Sequence, residues 1–359
     1  MLKNCVKCGR CLSVCPIYKI SGHERLSPRG KLNLIELYQE GILHPSPLFI
    51  ETISACISCG QCEERCVLNL PIKEIIHQLR EKLWSHQKIQ FYRAWLISNI
   101  LASRGILWRL LAMFKQFSPL PFSFAQKPFL PQNIKSSGKK TVGIFVGCIT
   151  NFIYPHLGYK LLKLLKYLNY EIFIPNEQVC CGLMAYNLGD REIAFTLAQK
   201  NIDAFKNKKI DFILTPCASC YHHLTTFSLY QETGLSKKVM ELNRFLFNNK
   251  IPFIFLNQKL TWHDPCHLYY HHNIWEEPRE LLKKIGIFVE SSPNGMCCGQ
   301  GGSFSINFPE LSKKMLEKRI NFIKKTKADI VVTNCMGCLI QLKTGLGKEK
   351  VKHILELIA

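Results

Sequence analysis

The sequence predicts a multidomain chain: an α-helical, cysteine-bearing N-terminal domain followed by a tandem pair of α/β modules. Three observations carry that reading. Two four-cysteine runs of identical spacing lie within the first 70 residues, ten further cysteines repeat themselves after about 118 residues, and strand and helix patterns alternate around each of those ten. At 359 residues, 47% hydrophobic and 20% charged, the chain can build two or three domains with their own cores, and bulk disorder is excluded. Eighteen cysteines are the feature to explain. An oxidised framework would need export, yet Met1-Leu-Lys-Asn-Cys5 has no apolar stretch or small-residue cleavage site. Reduced thiols in the cytoplasm are therefore expected, and dense cysteine then means metal or redox chemistry. No charge-free run of 18 apolar residues occurs, because Arg104 and Arg109 interrupt the best candidate, Ala94 to Phe114. No transmembrane helix is expected.

Cys5, Cys8, Cys11 and Cys15 follow the spacing C-x2-C-x2-C-x3-C with Pro16 next, and Cys56, Cys59, Cys62 and Cys66 repeat it with Val67 next. This is the bacterial ferredoxin pattern for [4Fe–4S] clusters. Three thiolates two residues apart wrap one cluster as a loop, while the fourth points away and serves the other cluster. Cys5, Cys8, Cys11 and Cys66 are thus assigned to one cluster and Cys56, Cys59, Cys62 and Cys15 to the other. Zinc also takes C-x2-C pairs, but usually as two pairs separated by a finger or ribbon, which two unbroken runs do not resemble. Between the runs, Pro28-Arg29-Gly30-Lys31 leads into Leu32, Leu34, Ile35 and Leu37 at helical spacing, and Ile72 to Trp84 reads as a second helix after Pro71. A mostly helical two-cluster domain over residues 1–86 is expected.

The remaining cysteines are Cys148, Cys180, Cys181, Cys217 and Cys220, then Cys266, Cys297, Cys298, Cys335 and Cys338, offset pairwise by 117 or 118 residues. Each copy reads strand, cysteine, helix, strand, Cys-Cys-Gly, helix, strand, Cys-x-x-Cys, helix, the alternation of layers around a parallel sheet. The predicted strands are Thr141 to Val146, Glu171 to Ile174 and Asp211 to Leu214, then Leu260 to His263, Ile287 to Glu290 and Asp329 to Val332. This defines modules at 139–250 and 251–359. Every cysteine group then falls beyond the C-terminal end of a strand, where ligands of open α/β sheets collect and helix N-termini favour negative charge. Gly182 and Gly299 are expected to let the backbone turn closely around a bulky group. Five converging thiolates exceed what one cubane or one zinc needs. A thioredoxin-like redox pair would explain each Cys-x-x-Cys but not the vicinal pair or the lone upstream cysteine. His263, His267, His271 and His272 around Cys266, and His222 and His223 after Cys220, are expected to tune or shield a cluster by hydrogen bonding rather than to ligate it.

At these residues the chain resembles the CCG-domain electron-transfer proteins, and among them the iron–sulfur subunits of bacterial glycolate oxidase. The resemblance covers nearly the whole chain: Cys5-Val-Lys-Cys-Gly-Arg-Cys-Leu-Ser-Val-Cys-Pro-Ile-Tyr, Ser27-Pro-Arg-Gly-Lys, Cys56-Ile-Ser-Cys-Gly-Gln-Cys, Gly147-Cys148, both Cys-Cys-Gly motifs, and Cys298-Gly-Gln-Gly-Gly-Ser-Phe. It implies two [4Fe–4S] clusters at the N-terminus and one or two further iron–sulfur clusters in the modules. It also implies a subunit that takes electrons from an FAD-containing partner oxidising a 2-hydroxy acid, glycolate or lactate, and passes them towards quinone. The same architecture occurs in lactate-utilisation proteins, in the iron–sulfur subunit of anaerobic glycerol-3-phosphate dehydrogenase and in heterodisulfide reductase. In the last, the full cysteine set is associated with a non-cubane [4Fe–4S] cluster that handles disulfides. This chain carries the full set twice, where glycolate oxidase subunits often have a reduced final motif, so the disulfide-reducing alternative stands beside the first. No dinucleotide motif is present, so this chain alone should not oxidise the hydroxy acid.

Residues 87–138 read as a basic amphipathic linker. Trp95, Leu96, Ile100, Leu107, Leu110 and Leu111 are interspersed with Arg104, Arg109 and Lys115, and Pro119, Pro121, Pro128 and Pro131 follow. Its apolar face is expected to pack on the modules or a partner, with a peripheral contact to anionic lipid on the inner membrane face as the alternative. The formal charge of +21 raises nucleic acid as a partner, but the lysine pairs are scattered over different elements with no aromatic-laced stripe. An acidic partner or a membrane surface is the expected use of the charge, which the thiolate clusters also partly offset.

Overall fold

The computed structural model describes residues 5–86, 91–102, 124–132, 134, 136–206, 208–249, 251, 253 and 255–358. The sequence expectations for Arg104, Leu107, Arg109, Leu110, Leu111, Lys115, Pro119 and Pro121 lie outside the described residues.

The N-terminal region is helical because its sequence supplies caps and one apolar face per helix. Ser27 Oγ accepts from the Gly30 amide at 2.9 Å with Pro28 in the first turn, starting the Pro28–Gln39 helix. Ser46 accepts from the Phe49 amide at 3.2 Å and starts Pro47–Ser54 the same way. Leu32 and Ile35 from the first, Ile50 and Ile53 from the second, and Ile72, Ile76 and Leu79 from Ile72–Lys82 close one core. The Tyr92–Ala102 helix adds Ala94 to that core, next to Phe91, which meets Phe308 at 5.7 Å between ring centroids. The described part of the predicted linker thus packs on the protein. Among the described residues, no helix is long and apolar enough to cross a membrane.

Each module is a four-stranded, wholly parallel sheet. In the first, β1 (Thr141–Ile144), β2 (Glu171–Phe173), β3 (Phe212–Leu214) and β4 (Val239–Met240) are ordered β2-β1-β3-β4. In the second, β5 (Lys259–Trp262), β6 (Ile287–Phe288), β7 (Ile330–Thr333) and β8 (Val351–His353) are ordered β6-β5-β7-β8. The repeat extends to single bonds. Asp211 Oδ2 accepts from the Thr141 amide at 2.7 Å, and Asp329 Oδ2 accepts from the Lys259 amide at 2.8 Å. The six expected strands are present within a residue or two, and each sheet gains a fourth, β4 and β8, that the sequence reading did not foresee.

This strand order reverses between β1 and β3, and again between β5 and β7. A crevice opens at such a reversal beyond the carboxyl ends of the strands. Cys148 and Cys217 follow β1 and β3, and Cys266 and Cys335 follow β5 and β7. The two crevices face each other. The Ala218 amide donates to Asn334 O at 3.0 Å, Asn334 Nδ2 donates to Glu241 Oε1 at 2.6 Å, and His353 Nε2 lies 2.8 Å from Pro216 O. The helical domain docks across both modules. Arg80 donates to Asn187 O at 3.0 Å, Arg191 pairs with Glu81 at 2.6 Å, and Cys15, Ile57 and Cys59 share a buried cluster with Cys297, Phe304 and Met315.

Candidate metal centres

The two quartets build two cavities, and the fourth cysteine of each run crosses to the other. Cys5, Cys8, Cys11 and Cys66 line one cavity, and Cys15, Cys56, Cys59 and Cys62 line the next. The loops match in backbone as well as spacing. Lys7 and Gly9 have φ of 54° and 80°, and Ser58 and Gly60 have 57° and 85°, so each loop turns twice through the left-handed region around its second cysteine. Such turns aim successive backbone N–H groups into one concavity and suit an anionic group. A single zinc ion, with Zn–S of about 2.3 Å, would need its sulfurs about 3.8 Å apart. Among the described residues, no three thiols of either quartet come within 4.8 Å of one another. The cavities therefore fit a group wider than one ion, as a [4Fe–4S] cluster is.

Two buried cations stand behind the second cavity, and sequence reasoning missed both. Lys31, 2% exposed, donates to Leu26 O; burial pulls its ammonium below the usual lysine range, and Cys56 and Cys15 oppose that. Arg80, 3% exposed, donates to Cys56 O at 2.6 Å, Ser54 O at 2.8 Å and Ile53 O at 3.1 Å. The available signal was positional, since Lys31 falls on the apolar face of its helix beside Leu32 and Ile35. Burial pushes the Cys59 and Cys62 thiols well up, with the neighbouring Cys266 adding to the effect at Cys59. The second cavity therefore abuts the second module.

In the modules the ten thiols form one file. Sulfur contacts run Cys148 to Cys180, Cys180 to Cys181, Cys181 to Cys220 and Cys220 to Cys217. Cys217 then meets Cys335 across the module boundary. The file continues through Cys338, Cys298 and Cys297 to Cys266, with Cys298 and Cys338 Sγ 3.5 Å apart. Shared protons split the file. Hydrogen bonds from Cys148 and Cys181 hold Cys180 well below the usual thiol range, those from Cys297 and Cys338 do so for Cys298, and those from Cys217 and Cys338 for Cys335. Their neighbours Cys148, Cys297 and Cys338 are held well above it, by those same bonds and by burial. So many buried sulfurs can ionise together only around a polycation, and this donor set fits an iron–sulfur group in each module.

The glycines after the vicinal cysteines turn the backbone through the left-handed region, and close packing gives a second reason for them. Gly182 and Gly299 take φ of 99° and 90°, and Gly299 also lies so close to the Pro309–Lys325 helix that a Cβ there would sit 2.7 Å from Ser312 O. Gly147 leaves room for Cys220 Sγ, which a Cβ would meet at 3.0 Å.

Most of the histidines form a patch between two short helices, in which His267 lies within reach of the Cys335 and Cys298 charges. His222 stacks on His267 at 4.4 Å and its Nδ1 lies 3.1 Å from His272 Nε2, while a Cβ at Gly60 would run into the His271 ring. Burial drives His223 down to about 3 and His267 and His272 to about 4, with neighbouring His267 or Lys73 charge adding, so the patch is neutral near pH 7. Ser58, Lys73, His77, His222, His223 and His267 border a cavity of about 300 Å³ where the helical domain meets both modules. His263 differs: a ring nitrogen and the sulfurs of Cys298 and Cys338 all lie within 4.8 Å of one another.

Known proteins share this domain order. A 4Fe-4S dicluster domain model matches residues 1–70, and a cysteine-rich domain model matches 142–225 and 260–343. The chain is 29% identical to the probable glycolate oxidase iron-sulfur subunit of Bacillus subtilis, over 99% of this chain and 93% of that one. It is 30% identical to a subunit of the fumarate reductase (CoM/CoB) of Methanothermobacter marburgensis, over 99% of this chain and 72% of that one. A hypothetical protein from Helicobacter pylori shares the fold, with a TM-score of 0.55 at 11% identity over 96% of this chain and 70% of that one. With a dicluster domain, two cysteine-rich domains and full-length similarity to such subunits, the chain belongs to the family of iron–sulfur oxidoreductase subunits that includes those of glycolate oxidase.

Proposed function

We propose that this chain is the electron-transfer subunit of a flavin-dependent 2-hydroxyacid dehydrogenase, with glycolate or lactate oxidised on an FAD-containing partner and electrons passed towards quinone. The observation that carries the reading is the succession of thiol sites from the partly exposed first quartet, through the second quartet and Cys266, to Cys148. Iron–sulfur clusters, when bound, accept and release single electrons. Cys5, Cys8, Cys11 and Cys66 would hold the first and Cys15, Cys56, Cys59 and Cys62 the second. Cys266, Cys297, Cys298, Cys335 and Cys338 would hold a third, and Cys148, Cys180, Cys181, Cys217 and Cys220 a fourth. Lys31 and Arg80 offset the charge of the second thiolate set and fix its loop. Buried Ile57, Phe304 and Met315 keep water from the joint between the second set and the third. The assembly is placed in the cytoplasm, with the basic linker meeting a partner or the inner membrane face.

Full five-thiol sets in both modules, joined at Cys217 and Cys335, support a second reading, a subunit of the heterodisulfide reductase type. Anaerobic purification separates the two. The first reading expects well over eight irons per chain, a co-purifying FAD protein, and glycolate- or lactate-dependent dye reduction. Reoxidation of the reduced protein by an organic disulfide, with no response to hydroxy acid, would replace the first reading by the second. Zinc in place of iron would refute both.

A further inference from the structure

The two modules repeat each other in backbone but not in the charge placed behind their sulfurs. The Phe145 amide donates to Leu214 O at 2.8 Å and the His263 amide to Val332 O at 2.9 Å, so Phe145 and His263 are equivalent positions. Counting back 118 residues from Arg319, on the helix before β7, gives Asn201, on the helix before β3. In the first module this pair is neutral: Asn201 accepts from the Val179 amide at 2.8 Å and donates to Cys180 O and Tyr230 Oη, each at 3.0 Å. In the second it is an imidazole and a guanidinium, both 0% exposed.

The proton count on that pair is decided by chemistry. Arg319 Nε lies 3.1 Å from His263 Nδ1, and a guanidinium only donates, so Nδ1 carries the lone pair. With Nδ1 accepting, the ring hydrogen sits on Nε2. That atom is buried with no hydrogen-bond partner, while a ring nitrogen of His263 and the sulfurs of Cys298 and Cys338 lie within 4.8 Å of one another. A ring nitrogen that bears hydrogen is a donor and not a ligand, although the three-residue spacing invites a metal assignment. Arg319 spends its other N–H groups on backbone oxygens, Ser291 O and Pro293 O at 3.3 Å and Trp262 O at 3.5 Å. The nearby Asp264 is already held by both terminal nitrogens of Arg279, at 2.9 and 3.0 Å. Among the described residues no carboxylate forms an ion pair with Arg319, and its charge is felt first by Asp264 and then by the sulfurs of Cys298 and Cys338.

We infer that Arg319 and His263 are positioning residues that make the second-module centre easier to reduce than the first-module centre. Hydrogen bonds to cluster sulfurs and nearby buried positive charge both favour the more negative, reduced state. The second module lies between the Cys59 cavity and the first module, so electrons arriving from the helical domain gather at it before the first-module sulfurs.

The inference rests on the modules binding iron–sulfur groups and is tested on the whole, anaerobically purified chain by EPR-monitored redox titration. His263→Phe and Arg319→Asn install the first module's residues, while His263→Gln and Arg319→Lys keep a donor and a charge. The first two are expected to shift the reduction equilibrium of one signal at least tenfold, about 59 mV lower for one electron, with iron content unchanged. The conservative pair should stay within threefold of the parent. Pulsed EPR on the unmodified chain in D2O with 15N-histidine needs no variant to fold and should show an exchangeable deuteron with only weak nitrogen coupling. Unshifted potentials with iron retained, or strong nitrogen coupling, would overturn the inference. An iron content of about eight with no further signals would remove the module centres and the inference with them. Lack of an FAD partner or of hydroxyacid-dependent reduction would overturn only the proposed function.

Discussion

The glycine after each vicinal cysteine pair allows a graded test, because three glycines share a left-handed backbone and differ in what a methyl group would meet. Gly234 has φ of 75° with nothing within 4 Å of an added Cβ. Gly182, at 99°, would place it 3.2 Å from Ala194 O, and Gly299, at 90°, 2.7 Å from Ser312 O and 2.9 Å from Met315 Cβ. Alanine in the left-handed region costs about 1–2 kcal/mol at each site. At Gly299 the obstacle is a helix backbone that cannot swing away, so overpacking adds about 1–3 kcal/mol. Gly234→Ala is thus expected to cost about 1 kcal/mol, Gly182→Ala slightly more, and Gly299→Ala about 3 kcal/mol. A difference of about 2 kcal/mol between the first and last is about a thirtyfold change in a local opening equilibrium. Amide hydrogen exchange along Pro309–Lys325 reads this directly. Exchange in Gly299→Ala no faster than in Gly234→Ala would refute the close-approach argument and return Gly299 to a role in backbone conformation alone.

Arg80→Met removes the donor shared by Ile53 O, Ser54 O, Cys56 O and Asn187 O, and should cost about 3–5 kcal/mol and release iron from the second quartet. Iron analysis with urea unfolding checks this, and full iron retention would refute it. Acid should loosen the histidine patch. Burial, aided by His267 and Lys73, holds His223 at about 3 in the folded chain against about 6.5 when unfolded. Its contribution is complete above pH 6.5 and falls by up to about 1.4 kcal/mol per unit as pH drops towards 3, because the unfolded chain takes up the proton first. Thermal unfolding between pH 7.5 and 5.5 should decline accordingly, and a flat profile would refute the burial of His223.

Legibility in the sequence follows locality. The quartets repeat at a constant offset of 51 residues, and the equal left-handed turns at Lys7 and Ser58 show why spacing alone could pair their thiols. Strands β1, β3, β5 and β7 each run into a cysteine motif, and all four were foreseen. The two-residue β4 has no period to detect and exists through its pairing with β3. Lys31, Arg80 and Arg319 look like surface cations in sequence, because what neutralises a buried charge is brought from far along the chain. The contact between Cys217 and Cys335 was likewise unreadable, since it depends on how two sheets face each other rather than on either one.

The exchange of Glu241 to Asn334 and of His353 to Pro216 O makes the tandem modules an internal dimer fused head to tail. Each half ends its fourth strand by completing the cysteine loop of the other. A chain opened between the modules would leave a carboxylate in one fragment and an imidazole in the other, each stripped of its buried acceptor or donor. The two halves therefore assemble as one cooperative unit, and the seam of sulfurs between them forms only when both are present.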